Sequence, residues 1–298
     1  MSELVSIIVP TFNRADKIQN AISSVINQKY NNWELIIVDN ESLDGTKEMI
    51  KNYKDSRIRF YSISNNGVIG YSRNFGVEKS NGRYLAFLDS DDFWENEKLS
   101  ICIGLMEKKN KDICYHNCYL ISNNEKKKTR CRKLLSNNFF DLIKNGNTIV
   151  TSSVILKKEL FLKIGGFSEK KNMIGWEDYH LWLMLAKQKY NFLFVSSYLG
   201  SCRIGEDNFD NPKRVIYNLE NIENFFINNL NLNTKDIWWI PYAQAKANFQ
   251  LGYYDISFDL FRKSLLISSL FLSKLKSLYF ITLIIYISFK NYLIKKKS

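Results

Sequence analysis

The sequence predicts an α/β fold built on a parallel sheet, and three observations support this prediction. Short apolar runs, each long enough for one buried strand, recur through the first half of the chain. Segments with helical spacing of apolar residues separate these runs, and polar residues follow several of them at the carboxyl end. This alternation is typical of a parallel sheet covered on both faces, in which ligands bind beyond the carboxyl ends of the strands.

The predicted elements follow from composition and periodicity in order along the chain. Apolar and β-branched runs predict strands at 4–10, 33–39, 57–63, 83–89, 148–159 and 191–197. Helical spacing predicts helices through Ala21 and Val25, from near Asp44, over about 71–79, and over 177–188, which has two acids in its first turn. The pair of glycines in Ile164–Phe167 predicts a tight turn.

The composition changes near Pro212, where strand signals end and helical patterns begin. Residues 242–268 have the spacing of one helical hairpin, which cannot bury its apolar face alone and is expected to pack on neighbouring helices. The sequence therefore predicts two domains, an α/β domain over 1–210 and a C-terminal helical region over 211–298.

The C-terminal tail combines an apolar stretch with basic residues. The stretch 277–289 holds 13 residues of mostly apolar character between Lys276 and Lys290, and no acid follows Asp259. It is too short to span a bilayer, and its flanking lysines favour a helix that lies on an anionic membrane surface. The alternative is a helix buried against the rest of the protein. The net charge of +12 also suits nucleic acid, which we discount because the charge is concentrated beside this apolar tail.

The cysteine content predicts a reduced, cytosolic compartment. The chain has five cysteines, an odd number, and its N-terminus runs into a strand-like segment with no secretory signal. The segment Cys114–Cys118 contains two cysteines and His116, but its spacing is not that of a zinc site. These residues are expected in the core.

Acidic residues mark two of the predicted strand ends. Asp39 follows the second strand, and the fourth leads into the sequence Asp-Ser-Asp-Asp at 89–92. Carboxylates at such short spacing repel one another, so a partner cation or a metal ion is expected among them. The further possibility is a solvated acidic loop with capping residues.

Three segments taken together resemble the family 2 glycosyltransferases. They are "IIVPTFNR" at 7–14, "IIVDNESLDGT" at 36–46, and "NNGVIGYSRNFG" at 65–76 ahead of "LDSDD". The resemblance covers about Leu4–Arg203 and implies the GT-A fold, a Rossmann-like nucleotide-binding sheet with an acceptor subdomain. It also implies a UDP-sugar donor and a divalent ion, Mn²⁺ or Mg²⁺, that stabilises the diphosphate leaving group.

The resemblance assigns roles at the donor side of the site. Asp91 is implied as a metal ligand, Asp89 as a ligand of the ribose or of the metal, and Asp39 as the acceptor of the uracil N–H. The other residues implied in nucleotide-sugar binding are Pro10, Thr11, Phe12, Arg14, Asp44, Asn66, Arg73 and Asn74.

The resemblance also assigns the acceptor side. "Trp176-Glu177-Asp178" matches the family's acidic motif, so Asp178 is implied as the base that takes the proton of the acceptor hydroxyl. One base and one direct displacement imply inversion at the anomeric carbon. Gly165, Gly166 and Phe167 match the turn that shapes the acceptor pocket, with Trp176 and Glu177 beside it.

The chain departs from the family pattern at one position. Many relatives carry Tyr-Arg-x-His where this chain has "SCRIG", so Arg203 is kept and Gly205 stands in place of the histidine. Whether Glu206 or Asp207 substitutes, or Asp91 acts alone, stays open. The Q-x-x-R-W motif and the spanning helices of processive synthases do not occur, which favours addition of one sugar per encounter.

Three rival functions are weaker. A dehalogenase-like phosphatase would carry its acidic motif after the first strand, and a dinucleotide-binding oxidoreductase would carry G-x-G-x-x-G there. A membrane-docked, partner-binding module without catalysis is disfavoured by four acids that match the family's motifs, Asp39, Asp89, Asp91 and Asp178. The favoured hypothesis is a metal-dependent, inverting glycosyltransferase on the cytosolic face of the inner membrane. It would act on a lipid-linked or surface-glycan acceptor in O-antigen, capsule or lipooligosaccharide synthesis, the alternative being a soluble glycan or protein acceptor.

Overall fold

The computed structural model describes residues 2–122, 125–128, 131–203, 211–228, 237–268 and 271–295. The chain divides into two compact units. The first comprises residues 1–142 and 147–206, and the second comprises 143–146 and 207–298. The predicted boundary near residue 210 falls close to the main division between them.

The first unit is built on one nine-stranded mixed sheet. The strands are β1 Val5–Thr11, β2 Trp33–Asp39, β3 Ile58–Ser62, β4 Tyr84–Phe87, β5 Phe93–Trp94, β6 Ile113–Ser122, β7 Glu125–Lys128, β8 Ile155–Lys157 and β9 Phe192–Arg203. In sheet order they run β3, β2, β1, β4, β8, β6, β9, β5, and β7 pairs with β6.

Helices and short turns connect these strands. The helices of the first part of the chain are α1 Ile18–Ile26, α2 Thr46–Lys51, α3 Ile69–Glu78, α4 Lys98–Lys108, α5 Asn138–Asn145, α6 Lys158–Lys163 and α7 Glu177–Lys187. Apolar residues of α1 and α4 pack with β1, β2 and β4 in one buried cluster. Cys114, His116 and Cys118 are fully buried, so the prediction that they are core residues is confirmed.

The first four strands match the parallel sheet that the sequence predicts. β1 pairs in parallel with β2 and β4, and β2 pairs in parallel with β3. Their register places Thr11 opposite Asp39 at the carboxyl edge. The Leu88 N–H donates to the carbonyl of Ile8, so Asp89 emerges at this same edge. The sheet therefore gathers the ends of three neighbouring strands.

The second half differs from the prediction in two respects. β8 runs antiparallel to both β4 and β6, which makes the sheet mixed. The single strand predicted over 148–159 is instead a 3₁₀ turn at Thr151–Ser153, the short β8, and the start of α6. Ser153 Oγ donates to the carbonyl of Val150, and such local bonds from serine compete with strand pairing.

The second unit is helical among its described residues. It contains α8 Pro212–Ile222, a π-helical turn Glu223–Asn228, α9 Trp239–Gln250, α10 Tyr254–Ile267 and α11 Phe271–Lys295. The predicted helical hairpin is therefore confirmed as α9 and α10. The rings of Phe261 and Phe280 stack with centroids 4.7 Å apart, which packs α11 against α10. Within the described residues, no helix is both long enough and apolar enough to cross a bilayer.

Candidate active site

One buried arginine connects the two acidic motifs of the chain. Arg73, on α3, has a side chain that is 3% exposed. Its Nη1 donates to Glu177 Oε1 at 2.8 Å, and its Nη2 donates to Asp89 Oδ1 at 2.8 Å. The guanidinium also lies 5.1 Å from the centre of the Phe167 ring. The two carboxylates raise the pKa of Arg73 despite its burial, which on its own would lower it.

The acidic sequence after β4 is split between the surface and the interior. The side chains of Asp89 and Asp91 are 32% and 22% exposed, and Arg14 Nε lies 3.9 Å from Asp91 Oδ2. Asp92 is buried, and its carboxylate accepts from Ser152 Oγ at 2.6 Å and from the Arg203 N–H at 2.9 Å. Burial and the neighbouring Asp89 and Asp91 raise the pKa of Asp92 well above its ordinary value. Asp92 is therefore a structural residue that fixes the loop carrying the other two.

The 3₁₀ turn at Thr151–Ser153 holds both acidic motifs. Ser152 Oγ accepts from the Asp89 N–H at 3.1 Å, and the Ser152 carbonyl accepts from Trp94 Nε1 at 2.7 Å. The neighbouring Thr151 Oγ1 donates to Asp178 Oδ2 at 3.0 Å. The strand predicted over 148–159 gives Thr151 and Ser152 no role in joining the two motifs. Their bridging role depends on the irregular turn, for which the strand-like composition gave no signal.

Asp178 lies in the first turn of α7, beside the buried Glu177. Glu177 is held by Arg73 and by the N–H of Gly175, so its carboxylate is committed to the structure. Asp178 Oδ1 accepts from the Tyr179 N–H at 2.6 Å. Burial and the adjacent Glu177 raise the pKa of Asp178 to about 7, against the opposing effects of Arg73 and Thr151. A carboxylate with a pKa near neutrality is suited to accept a proton.

The predicted nucleotide residues lie at the ends of β1 and β2. Asp39 is buried, and its carboxylate accepts from the Ser42 N–H at 3.0 Å and from the Ser42 hydroxyl. Asp44 Oδ2 accepts from the Ala15 N–H at 3.0 Å, and Thr46 Oγ1 accepts from the Arg14 N–H at 3.0 Å. These bonds join the loop after β1 to the loop after β2. Pro10 and Thr11 are buried in β1, whereas Phe12 is 51% exposed.

The glycine turn is fastened to α3. Asn74 Oδ1 accepts from the Phe167 N–H at 2.9 Å, and Asn74 Nδ2 donates to the Phe167 carbonyl at 2.9 Å. Gly166 has φ +75°, and a Cβ there would lie 2.7 Å from Asn74 Oδ1, so this position requires glycine. The Phe167 ring is buried against Phe87 and Phe161. Asn74 and Phe167 therefore brace the site through packing and backbone bonds.

Three further predicted residues lie in turns or at the start of a helix. Asn66 adopts a left-handed conformation with φ 51° in the loop before α3. Gly165 precedes Gly166 with φ +85°, and Trp176 is the residue immediately before α7. Gly205, Glu206 and Asp207, the positions of the missing histidine and its candidate substitutes, lie outside the described residues.

Comparison with known proteins decides the family. The model of "Glycosyl transferase family 2" matches residues 6–164, more than half of the 298-residue chain. The chain is a family 2 glycosyltransferase. The resemblance predicted from the sequence is thus confirmed. The match contains the first acidic motif and the turn at Thr151–Ser153, and Glu177 and Asp178 follow it.

One curated relative and two solved structures are similar over most of this glycosyltransferase. An Escherichia coli protein, "UDP-Glc:alpha-D-GlcNAc-diphosphoundecaprenol beta-1,3-glucosyltransferase WfgD", is 37% identical over 191 residues, covering 62% of this chain and 70% of WfgD. Residues 1–349 of Staphylococcus aureus TarS, in complex with UDP-GlcNAc, align with TM-score 0.58 at 16% identity, covering 87% of this chain and 81% of that one.

The second structure is the mannosyltransferase PcManGT from Pyrobaculum calidifontis in complex with GDP-Man and Mn²⁺. It aligns with TM-score 0.58 at 16% identity over 97% of this chain and 82% of that one. These alignments confirm the predicted GT-A fold with C-terminal helices.

The exposed carboxylates of this glycosyltransferase suit a divalent ion. Among the described residues, no three His, Cys, Asp or Glu side chains are grouped to hold a metal ion by themselves. Mg²⁺ bound with a nucleotide needs only one or two carboxylates, because phosphate oxygens and water complete its coordination. Asp89 and Asp91 provide two partly exposed carboxylates on one loop, so this donor set fits a hard ion bound together with a diphosphate.

Proposed function

We propose that this glycosyltransferase transfers one sugar from a UDP-sugar to a lipid-linked sugar acceptor, with inversion at the anomeric carbon. The single observation that carries the proposal is the Arg73 bridge, because it holds the donor-side Asp89 and the acceptor-side acidic pair in one site. WfgD, by its name, uses UDP-Glc and a diphosphoundecaprenol-linked GlcNAc, which supports this donor and acceptor class. The wider role would be surface-polysaccharide synthesis.

The donor would bind at the carboxyl edge of β1, β2 and β4. Asp39 would accept from the base, and the loop of Pro10, Thr11 and Phe12 would frame the nucleoside. Arg14 lies beside Asp91, where its positive charge would meet a phosphate. Mn²⁺ or Mg²⁺ held by Asp89 and Asp91 would supply electrostatic stabilisation of the diphosphate.

Asp178 would act as the base. The acceptor hydroxyl is a weak nucleophile, and a carboxylate within hydrogen-bond reach removes its proton as the bond to the sugar forms. Thr151 orients Asp178 by donating to one of its oxygens. Glu177, bonded to Arg73 and Gly175, would fix the start of α7 instead of taking part in proton transfer.

The outer face of α11 would dock on an anionic membrane surface at the cytosolic side. At 3.6 residues per turn, its exposed apolar and aromatic residues lie within a stripe about 120° wide. Exposed Lys274, Lys276 and Lys290 lie near the edges of this stripe. The stripe comprises Leu275, Leu278, Tyr279, Thr282, Ile285, Tyr286 and Phe289. An exposed apolar and aromatic stripe with flanking lysines is the pattern of an interfacial helix.

The function is tested by a donor screen. Purified protein is incubated with Mn²⁺, a panel of UDP-sugars and a synthetic alkyl-diphosphate-linked sugar, and the products are followed by mass spectrometry. We expect transfer from at least one UDP-sugar. Asp178→Asn is expected to reduce kcat by about 10²–10⁴-fold with UDP binding retained. Asp255→Asn, an acid on α10, serves as the matched control. The proposal is refuted if no donor gives either hydrolysis or transfer, both with and without metal.

The pH dependence of transfer tests the role of Asp178. Because the base acts only when deprotonated, kcat should fall as the pH decreases through about 7. Thr151→Val removes the hydroxyl that lowers the pKa of Asp178, so the fall should move to higher pH. Thr151→Ser keeps the hydroxyl and should keep the wild-type profile. A profile that is flat from pH 5.5 to 8, or that Thr151→Val leaves in place, would contradict this role.

Vesicle flotation tests the membrane face. Leu278→Asp with Tyr286→Asp places charges on the stripe, and each buried apolar side chain contributes about 1.5–3 kcal/mol. We therefore expect at least about a tenfold loss of binding to vesicles with anionic lipid. Leu266→Asp is the control, since Leu266 is 75% exposed on α10 and lies outside the stripe. Equal binding by the double variant and the control would remove the membrane assignment.

A further inference from the structure

The strand β7 carries three consecutive lysines, and two of them share one face. Side chains alternate along a strand, so Lys126 and Lys128 project to one side and Lys127 to the other. Lys126 Nζ lies 3.8 Å from the centre of the Tyr119 ring, and Lys128 Nζ lies 5.5 Å from that of Tyr198. The two rings lie 4.7 Å apart. We call Lys126 and Lys128 the lysine face.

Strand register connects the lysine face to the acidic loop. Ile121 pairs with Lys126 on one side and with Arg203 on the other. Directly opposed residues project to the same side of a sheet, so Lys126 and Arg203 flank Ile121 on one face. Neighbouring strands lie about 4.8 Å apart, which separates the two Cα atoms by about 10 Å. The Arg203 N–H donates to Asp92, so this row begins at the carboxylate cluster.

Within the described part of the chain, Glu95 is the acid that pairs with the lysine face. Lys127, on the opposite face, is paired with Glu125 at 2.8 Å. Lys126 Nζ lies 3.8 Å from Glu95 Oε1, a long contact between two exposed groups. Arg203 Nε is buried and has no hydrogen-bond partner among the described residues. The tyrosine rings fix the lysine positions without neutralising them. Among the residues that the structure describes, the row therefore places three cations beside the acidic loop.

We propose that the lysine face, with Arg203, binds the diphosphate of the lipid-linked acceptor. This inference rests on the proposed function, in which an acceptor sugar presents its hydroxyl to Asp178. The diphosphate on that sugar would lie about one sugar ring away from the reacting hydroxyl and carry adjacent negative charges. Two ammonium groups and a guanidinium are donors that bind phosphate oxygens through charge-assisted hydrogen bonds. The lysine face would then distinguish diphosphate-linked sugars from neutral glycosides.

Acceptor binding, measured without donor, tests this assignment. The probes are α-GlcNAc joined to an alkyl chain through a diphosphate and the same sugar on the same chain as a neutral glycoside, both in neutral detergent. In the wild type the diphosphate probe should bind more tightly. In Lys126→Gln/Lys128→Gln its Kd should rise about tenfold, as expected for the loss of two solvent-exposed charge pairs, and the preference should shrink.

The matched control is Lys127→Gln, which removes the same charge from the same strand on the opposite face. It should keep the wild-type preference for the diphosphate probe. The assignment is overturned if the double variant keeps that preference, or if Lys127→Gln loses it equally. It is also overturned if the double variant loses binding only to anionic vesicles, which would assign the face to membrane phosphate. Because these are binding measurements, failure of sugar transfer would refute the proposed function separately.

Discussion

The site depends on one buried cation held between two carboxylates from distant parts of the sequence. Arg73 is almost completely buried, so its charge requires partners, and Asp89 and Glu177 provide them. Removing one member of such a buried group typically costs about 3–5 kcal/mol, because the remaining charge is left unpaired. The placement of α7 relative to the loop after β4 is therefore fixed by electrostatics as well as by packing.

This arrangement gives the acids separate tasks. Glu177 and Asp92 are buried and bonded, and they hold α7 and the acidic loop in place. Asp89 and Asp91 stay partly exposed at the edge where a diphosphate would bind. Asp178, beside Glu177, keeps a pKa near neutrality. A cluster that looks uniform in sequence thus contains buried, bonded carboxylates, two partly exposed ones and, in the proposed function, one base.

The sequence predicted the first half of the fold, but not the contacts that join the candidate site residues to one another. β2 was predicted with its observed bounds because a buried parallel strand is apolar throughout. The turn at Thr151–Ser153 was predicted as strand, since its β-branched and small residues do not reveal their local bonds. The Arg73 bridge joins residues 104 positions apart, and spacing along the chain carries no signal for such a contact.

In the proposed mechanism a single carboxylate base, Asp178, drives one direct displacement, while Glu177 and Asp92 are held in structural hydrogen bonds. The anomeric configuration of the transferred sugar tests this most directly, measured from the ¹H coupling constant of the anomeric proton in the purified product. From an α-linked UDP-sugar, one displacement predicts a β-linked product. An α-linked product would contradict the account, because retention requires a different mechanism from the one assigned to Asp178.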